Sequence, residues 1–275
     1  MDIPTFKTKK ELFDFLVENK STLIAQKKSE MKRADAFTSH CFFIEDTGNI
    51  TKANAPILNP GKLIKTRLII NTTNLMDSHD DVHLPGLWNK SLKENRNIMH
   101  LQEHKMAFDS IISEGDDLKA YTKNYAWSDL GYKADSETQA LVFDSNVRKN
   151  RNEFMHDQYS KGFVKNHSVG MHYVKLVLAI NDEDHGAEFE AWEKYYPMIV
   201  NKELADAKGY FWAVKEAKVI EGSAVPLGSN HVTPTLENDI KSEPLESTQD
   251  EPPEGTLTIE EYKTTFKNIL NDGKN

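Results

Sequence analysis

The feature that most constrains the fold is a strand-like run at residues 164–180, which only Gly170 interrupts. Runs at 65–72 and 211–225 are also typical of strands, whereas residues 187–208 have a helical pattern. Strands and helices do not alternate regularly along the chain, as they would in the βαβ units of a doubly wound sheet. The pattern therefore favours an α+β or barrel architecture built from many strands and a few helices.

Composition narrows the class of protein. Of the 275 residues, 38% are hydrophobic, which is low for a fully packed globule, so we expect part of the chain to lie outside the core. The formal net charge of −9 gives no support for non-specific binding to nucleic acid. Because no apolar run approaches about 18 residues and the N-terminus lacks the apolar stretch of a secretory signal, we expect no association with a membrane.

Cys41 is the single cysteine, so the chain has no intramolecular disulfide, which fits a reducing cytoplasm. It lies in the apolar run at 41–44, and this context indicates a buried thiol rather than a catalytic one.

Three regions of the chain differ in pattern. Residues 1–35 are predicted to be a helical N-terminal extension, because the apolar residues of 7–33 fall roughly on one stripe; this helix either packs on the domain surface or docks a partner. Residues 36–233 carry the strand-like runs and form the main domain. Residues 234–275 are predicted to be a disordered acidic linker followed by a short helix at 258–270, which either binds a partner or frays.

One candidate nucleophile lies within the longest strand-like run. Ser168 is followed two residues later by Gly170. A serine hydroxyl needs a base to become nucleophilic at neutral pH, and a nearby glycine lets the backbone approach a substrate and expose N–H donors to an oxyanion. This short motif is a weak signal by itself, because most serines in such a context are structural.

His104 is the best candidate for the base, since it ends the strand-like run at 97–103, where the strand meets a loop. Strand alternation predicts that His104 shares one face with Ile98, His100 and Gln102. Glu221 is the candidate that would orient the base. It lies in a strand-like segment in which alternation places it on one face with Ala217, Val219, Ser223 and Val225, and a buried carboxylate on such a face needs a partner.

Four blocks of sequence, taken in order, resemble the prohead protease family of tailed phages. The first is an aspartate-rich loop leading to Pro-Gly and a Ser-Leu helix at 77–92, and the second is the histidine block that ends at His104. The third is Ser-Val-Gly-Met, which begins at Ser168, and the fourth is Glu-Gly-Ser-Ala-Val, which begins at Glu221. The sequence departs from the family at Asp80, where the family often has glycine.

The resemblance implies a herpesvirus-protease-like fold, a mostly antiparallel β-barrel ringed by helices. It implies a serine endopeptidase in which Ser168 is the nucleophile, His104 is the base and Glu221 occupies the position of the third member. The implied substrates are the scaffold, the major capsid protein precursor and the protease itself, cleaved during virion maturation. The implied location is the prohead in the host cytoplasm, with self-association, no cofactor, no metal and no direct binding to nucleic acid.

Two other functions remain open from the sequence. A catalytically inactive capsid scaffold or assembly protein on the same fold would suit the acidic tail. A metal-dependent hydrolase would use a stretch rich in ligands, which contains Asp77, His79, Asp81, His83, His100 and His104.

Overall fold

The computed structural model describes residues 4–32, 61–95 and 97–238. The helices in this part of the chain are α1 (Lys9–Glu18), α2 (Lys20–Ser29), α3 (Asn89–Glu94), α4 (Glu153–Ser160), α5 (Gly186–Tyr195) and α6 (Lys202–Lys208). The strands are β1 (Leu63–Thr72), β2 (Asp81–His83), β3 (Met99–Gln102), β4 (Ile111–Glu114), β5 (Leu118–Ala126), β6 (Glu137–Arg148), β7 (Asn166–Ile180), β8 (Tyr210–Val225) and β9 (Thr235–Asn238). The protein is therefore α+β, as its sequence predicts.

One sheet has the strand order β5-β6-β1-β9, and all its pairings are antiparallel. The predicted boundary of the main domain at residue 233 falls before β9, which pairs with β1 and continues the sheet to Asn238. The charged residue of this edge strand, Glu237, resembles the acidic segment that follows, and it forms an ion pair with Arg67. The other predictions for the linker and for 258–270, like that for Cys41, lie outside the described residues.

The second sheet is built around the long strand β8. β7 runs antiparallel along one edge of β8. β2 and β3 both run parallel along the other edge, β2 beside residues 212–214 and β3 beside residues 221–224. β4 completes this sheet by pairing antiparallel with β3. The strand that supplies Glu221 is therefore bordered by the strand that supplies Ser168 and by the strand that leads to His104.

The main hydrophobic cluster lies between the two sheets. It joins side chains of β1 and β6 to side chains of β7 and β8, and its members include Leu68, Phe143, Val169, Met171 and Val219. Gly222 lets the backbone of β8 lie close to side chains of the other sheet. A Cβ atom at this position would lie 2.6 Å from the Phe143 ring and 2.8 Å from Ile70.

The N-terminal extension packs onto this same cluster. Phe13, Leu16 and Leu23 are buried members of it, so these helices share the core of the domain. The predicted single helix is wrong in one respect, since the chain forms two helices with Asn19 between them. The Asn19 side chain donates to the Phe15 carbonyl at 2.9 Å, which satisfies a carbonyl at the end of α1.

Among the described residues, none of the helices combines the length and the apolar character needed to cross a bilayer.

Candidate active site

The pairing of β7 with β8 brings two of the predicted site residues onto one face of the sheet. Ser168 lies directly opposite Ser223, and Gly170 lies directly opposite Glu221. Val169, which alternates with these residues, belongs to the main hydrophobic cluster. The face that carries Ser168 and Glu221 therefore points away from that cluster.

A left-handed turn brings His104 to the same face. β3 ends at Gln102, and Glu103 and His104 have φ angles of 53° and 56°. Two consecutive non-glycine residues in this conformation are unfavourable by about 1–2 kcal/mol each. The turn is held by hydrogen bonds from Glu103 N to the Ala224 carbonyl, 3.0 Å, and from His104 N to Ser223 Oγ, 3.0 Å.

The prediction that His104 shares a strand face with His100 is wrong because the strand ends two residues before His104. His100 lies on the other face, where its ring bonds to Ser145 and Tyr159.

His104 and Glu221 form a buried pair. His104 Nδ1 lies 2.6 Å from Glu221 Oε1, and the Glu221 side chain is fully buried. An ionised carboxylate only accepts hydrogen bonds, so Nδ1 carries the proton, and the neutral ring then has its lone pair on Nε2. Nε2 is itself buried and has no hydrogen-bond partner among the described residues. A free lone pair at that nitrogen is what a general base requires.

Glycine at position 170 makes room for this pair. A Cβ atom on Gly170 would lie 1.7 Å from Glu221 Oε1 and 2.6 Å from its Cδ. The sequence predicts that the glycine of this motif lets the backbone approach a substrate. In the structure its smallness serves a different purpose, because the Glu221 carboxylate that contacts His104 lies over position 170, in space that any side chain there would fill.

The sequence predicts that the odd-numbered residues of this strand share one face. Glu221 and Ser223 do share a face, but Ala217 and Val219 lie on the opposite one, in the main hydrophobic cluster. The register shifts by one residue between the pairs Gly170↔Glu221 and Met171↔Val219. This β-bulge reverses the alternation along β8. Only the segment after the bulge presents its odd-numbered side chains to the site.

Ser168 is 3% exposed and lies across from Ser223, which itself contacts His104 and Glu221. No hydrogen bond joins Ser168 Oγ to His104, although both residues are described. Catalytic hydrogen bonds are often long before substrate binds and shorten in the complex. The structure thus joins His104 and Glu221 directly, and it places Ser168 opposite Ser223, whose hydroxyl contacts both of them.

A second polar network lies on the opposite face of the sheet. The donor and acceptor in each of its hydrogen bonds follow from one carbonyl group. His167 Nδ1 lies 3.0 Å from the Thr233 carbonyl, which only accepts, so Nδ1 carries the proton and Nε2 accepts. Tyr159 OH, 3.1 Å from Nε2, must then donate to it. Burial lowers the pKa of His167 to about 4, despite its bond to Thr233, and keeps the ring neutral.

The hydrogen bonds of His100 have their donors and acceptors fixed in the same way. Because the Tyr159 hydroxyl donates to His167, its oxygen accepts from His100 Nε2 at 3.1 Å. His100 Nδ1 therefore accepts from Ser145 Oγ at 2.9 Å. Burial, reinforced by His167, holds the pKa of His100 well below its usual range. Both rings have their nitrogens occupied, so neither is placed to serve Ser168.

The aspartate-rich loop forms a third polar cluster, which joins it to the N-terminal extension. The Lys32 ammonium contacts Asp77 Oδ2 and lies 2.8 Å from Asp81 Oδ2. Lys27 Nζ lies 2.8 Å from Asp81 Oδ1, and Tyr173 donates its hydroxyl hydrogen to Oδ2. Burial alone would raise the pKa of both carboxyls, but the lysine charges outweigh it and lower the pKa of Asp77 and Asp81.

This cluster bears on the metal-dependent alternative. The ligand atoms of Asp77, Asp81 and His83 lie within 4.8 Å of one another. The carboxylate oxygens, however, already accept from lysine ammonium groups, so two cationic side chains occupy the place that a metal ion would take. His100 and His104 belong to the other two networks, so the stretch of candidate ligands does not converge on one point.

Asp80 has a φ of 61°, which explains why glycine would suit this position. Here the aspartate side chain has its own partners, since it accepts from Tyr210 OH at 2.8 Å and pairs with Lys208 at 2.6 Å.

Sequence reasoning missed Ser223, Tyr159 and Lys32 as members of these networks. Ser223 could have been found, because strand alternation places it beside Glu221. Tyr159 and Lys32 meet their partners only through the tertiary fold, and their sequence neighbourhoods carry no such signal.

Comparisons with protein-family models, with curated proteins and with solved structures found no match to this chain.

Proposed function

We propose that the protein is a serine endopeptidase in which Ser168 is the nucleophile, His104 is the general base and Glu221 orients the base. The observation that carries the proposal is the buried contact of 2.6 Å between His104 Nδ1 and Glu221 Oε1, on the face of the sheet that carries Ser168. Within the described part of the chain, Nε2 of the same ring has no hydrogen-bond partner. Serine hydrolases require this combination of an oriented base, a free ring nitrogen and a neighbouring hydroxyl.

In the proposed reaction His104 Nε2 accepts the proton of Ser168 Oγ as the oxygen attacks the scissile carbonyl. Glu221 holds the Nδ1–H tautomer and stabilises the imidazolium that forms. The imidazolium then gives its proton to the leaving amine, and the acyl-enzyme is hydrolysed by a water that His104 activates in the same way. Backbone N–H groups near Ser168 would stabilise the oxyanion.

The substrates proposed for this enzyme follow from the family resemblance of the four sequence blocks. They are the scaffold, the major capsid protein precursor and the protease itself, processed inside a phage prohead in the host cytoplasm, where the protease would self-associate.

We also propose that the two sheets form the mostly antiparallel barrel that this family would share with herpesvirus proteases. Two contacts between the sheets support it. An isolated antiparallel bridge joins Asn166 of β7 to Pro234, next to β9. On the other side, Ser113 Oγ of β4 lies 2.7 Å from Ser145 Oγ of β6.

Co-expression with a capsid protein precursor tests the function. We expect the wild-type chain to shorten the precursor and Ser168→Ala to leave it intact. Ser160→Ala is the matched control, because Ser160 is a buried serine at the end of α4 whose hydroxyl, within the described part of the chain, bonds only to the Asp157 carbonyl. Processing by Ser168→Ala at the rate of the control would show that Ser168 is not the nucleophile.

A further inference from the structure

Ser223 makes two contacts with the candidate triad. It is fully buried on β8, opposite Ser168. Its hydroxyl lies 2.6 Å from Glu221 Oε2 and 3.0 Å from His104 N. A hydroxyl has one hydrogen and two lone pairs, so it donates to the carboxylate and accepts from the amide. Both directions are fixed by the partners, since the carboxylate accepts and the amide N–H donates.

The first contact determines how the carboxylate is held. Glu221 Oε1 contacts His104 and Oε2 accepts from Ser223, so each oxygen of this fully buried group has a partner. Without the hydroxyl, Oε2 would lose a charge-assisted hydrogen bond at a site that water does not reach. The carboxylate would then be free to rotate away from Nδ1.

The second contact determines how the base is presented. His104 has a φ of 56°, a left-handed conformation that is unfavourable for a residue with a side chain. The hydrogen bond from its N–H to Ser223 Oγ stabilises this conformation. A change in this dihedral angle would swing the imidazole away from the face that carries Ser168.

We propose that Ser223 is a positioning residue, which fixes the Glu221 carboxylate and the His104 backbone through one hydroxyl and thereby sets the Nδ1–H tautomer of the base. This role rests on the proposed peptidase function for its effect on turnover. Ser223 acts through Glu221 and His104 and takes no part in bond making or breaking.

Ser223→Ala removes both contacts, and Ser223→Thr retains a hydroxyl as the rescue variant. Ser113→Ala is the matched control, because it removes a buried serine hydroxyl of β4 whose only hydrogen-bond partner in residues 4–32, 61–95 and 97–238 is Ser145. We expect Ser223→Ala to lower kcat at least about tenfold with KM unchanged, and Ser113→Ala and Ser223→Thr to stay near wild type. If Ser223→Ala does not fold, Ser223→Cys gives the same comparison, since its thiol keeps a similar volume but bonds weakly.

The second readout is the downfield proton resonance of His104 Nδ1–H, identified by its loss in His104→Ala. We expect it in the wild type, in Ser113→Ala and in Ser223→Thr, and we expect its loss or upfield shift in Ser223→Ala. An unchanged resonance and an unchanged kcat in Ser223→Ala would overturn the positioning role. The resonance needs no substrate, so a wild-type chain that cleaves nothing would overturn the proposed function while the resonance still decides the role of Ser223.

Discussion

Gly170 lies directly beneath the carboxylate of Glu221, so closely that any Cβ atom at position 170 would stand 1.7 Å from Oε1. The glycine two residues after the candidate nucleophile is thus a condition for the contact between the candidate base and its partner. The strand that carries the candidate nucleophile is therefore linked to the candidate base and its partner through this one close approach of β7 to a side chain of β8.

Gly170→Ala should therefore lower activity strongly by displacing Glu221 from His104. A misplacement of about 1 Å in such a site costs on the order of 100-fold in rate. The measurement is kcat/KM for precursor cleavage. Gly186→Ala is the control, because a Cβ atom there meets nothing within 4 Å. Equal activity of the two variants would mean that Glu221 has room to move without consequence.

Buried histidines predict how stability depends on pH. Burial lowers the pKa of His83 and of His167 to about 4 in the folded protein. The unfolded chain protonates these rings near pH 6.5, so it binds more protons than the folded chain between pH 6.5 and 4. Stability should fall as the pH falls through this window, by about 3 kcal/mol for each histidine at its lower end. Urea unfolding at pH 7, 6, 5 and 4 measures this, and a flat profile above pH 5 would contradict it.

Lys32→Met should destabilise the protein strongly, because it leaves the buried carboxylates of Asp77 and Asp81 without their shared cation. Breaking a buried ion pair in this way costs about 3–5 kcal/mol. Lys28→Met is the control, since Lys28 is exposed on α2. The free energy of unfolding at pH 7 distinguishes the two, and a loss below about 1 kcal/mol in Lys32→Met would show that the cluster adds little to stability.

Tyr159→Phe tests the buried hydrogen-bond chain. The hydroxyl contacts His100 Nε2 and His167 Nε2, so its loss leaves two buried nitrogens unpaired, at about 1–3 kcal/mol each. Tyr125→Phe removes a hydroxyl that has no partner among the described residues and should be neutral. Denaturation curves of both variants measure the free energy of unfolding, which should fall only in Tyr159→Phe. Equal stability of the two variants would mean that water or a rearranged side chain replaces the Tyr159 hydroxyl.

The parts of the fold that local pattern determines could be predicted from the sequence. Residues 164–180 read as one strand because their β-branched and apolar residues are nearly continuous, and β7 covers 166–180. The α+β class follows from the irregular order of strands and helices. The break at Asn19 was missed, because the apolar stripe continues across it and the signal of a single asparagine is weak.

The geometry of the candidate site depends on features that break local periodicity. A strand pattern extended to His104 places its ring on the wrong face of the sheet. The left-handed turn that gives the observed position donates hydrogen bonds from the Glu103 and His104 amides to acceptors on β8. The bulge between Val219 and Glu221 likewise reverses a face within one strand. Such irregularities are set by tertiary contacts, so Ser168, His104 and Glu221 could be named as candidates from the sequence more readily than the path of the chain that brings them to one face.

Labelling with a serine-reactive fluorophosphonate, followed by mass spectrometry of the digested chain, tests the central claim most directly. The reagent modifies a serine only where a base activates its hydroxyl. We predict one adduct on Ser168 in the wild-type chain and its loss in His104→Ala. An adduct elsewhere, or equal labelling of Ser168 in His104→Ala, would contradict the assignment of the nucleophile and its base.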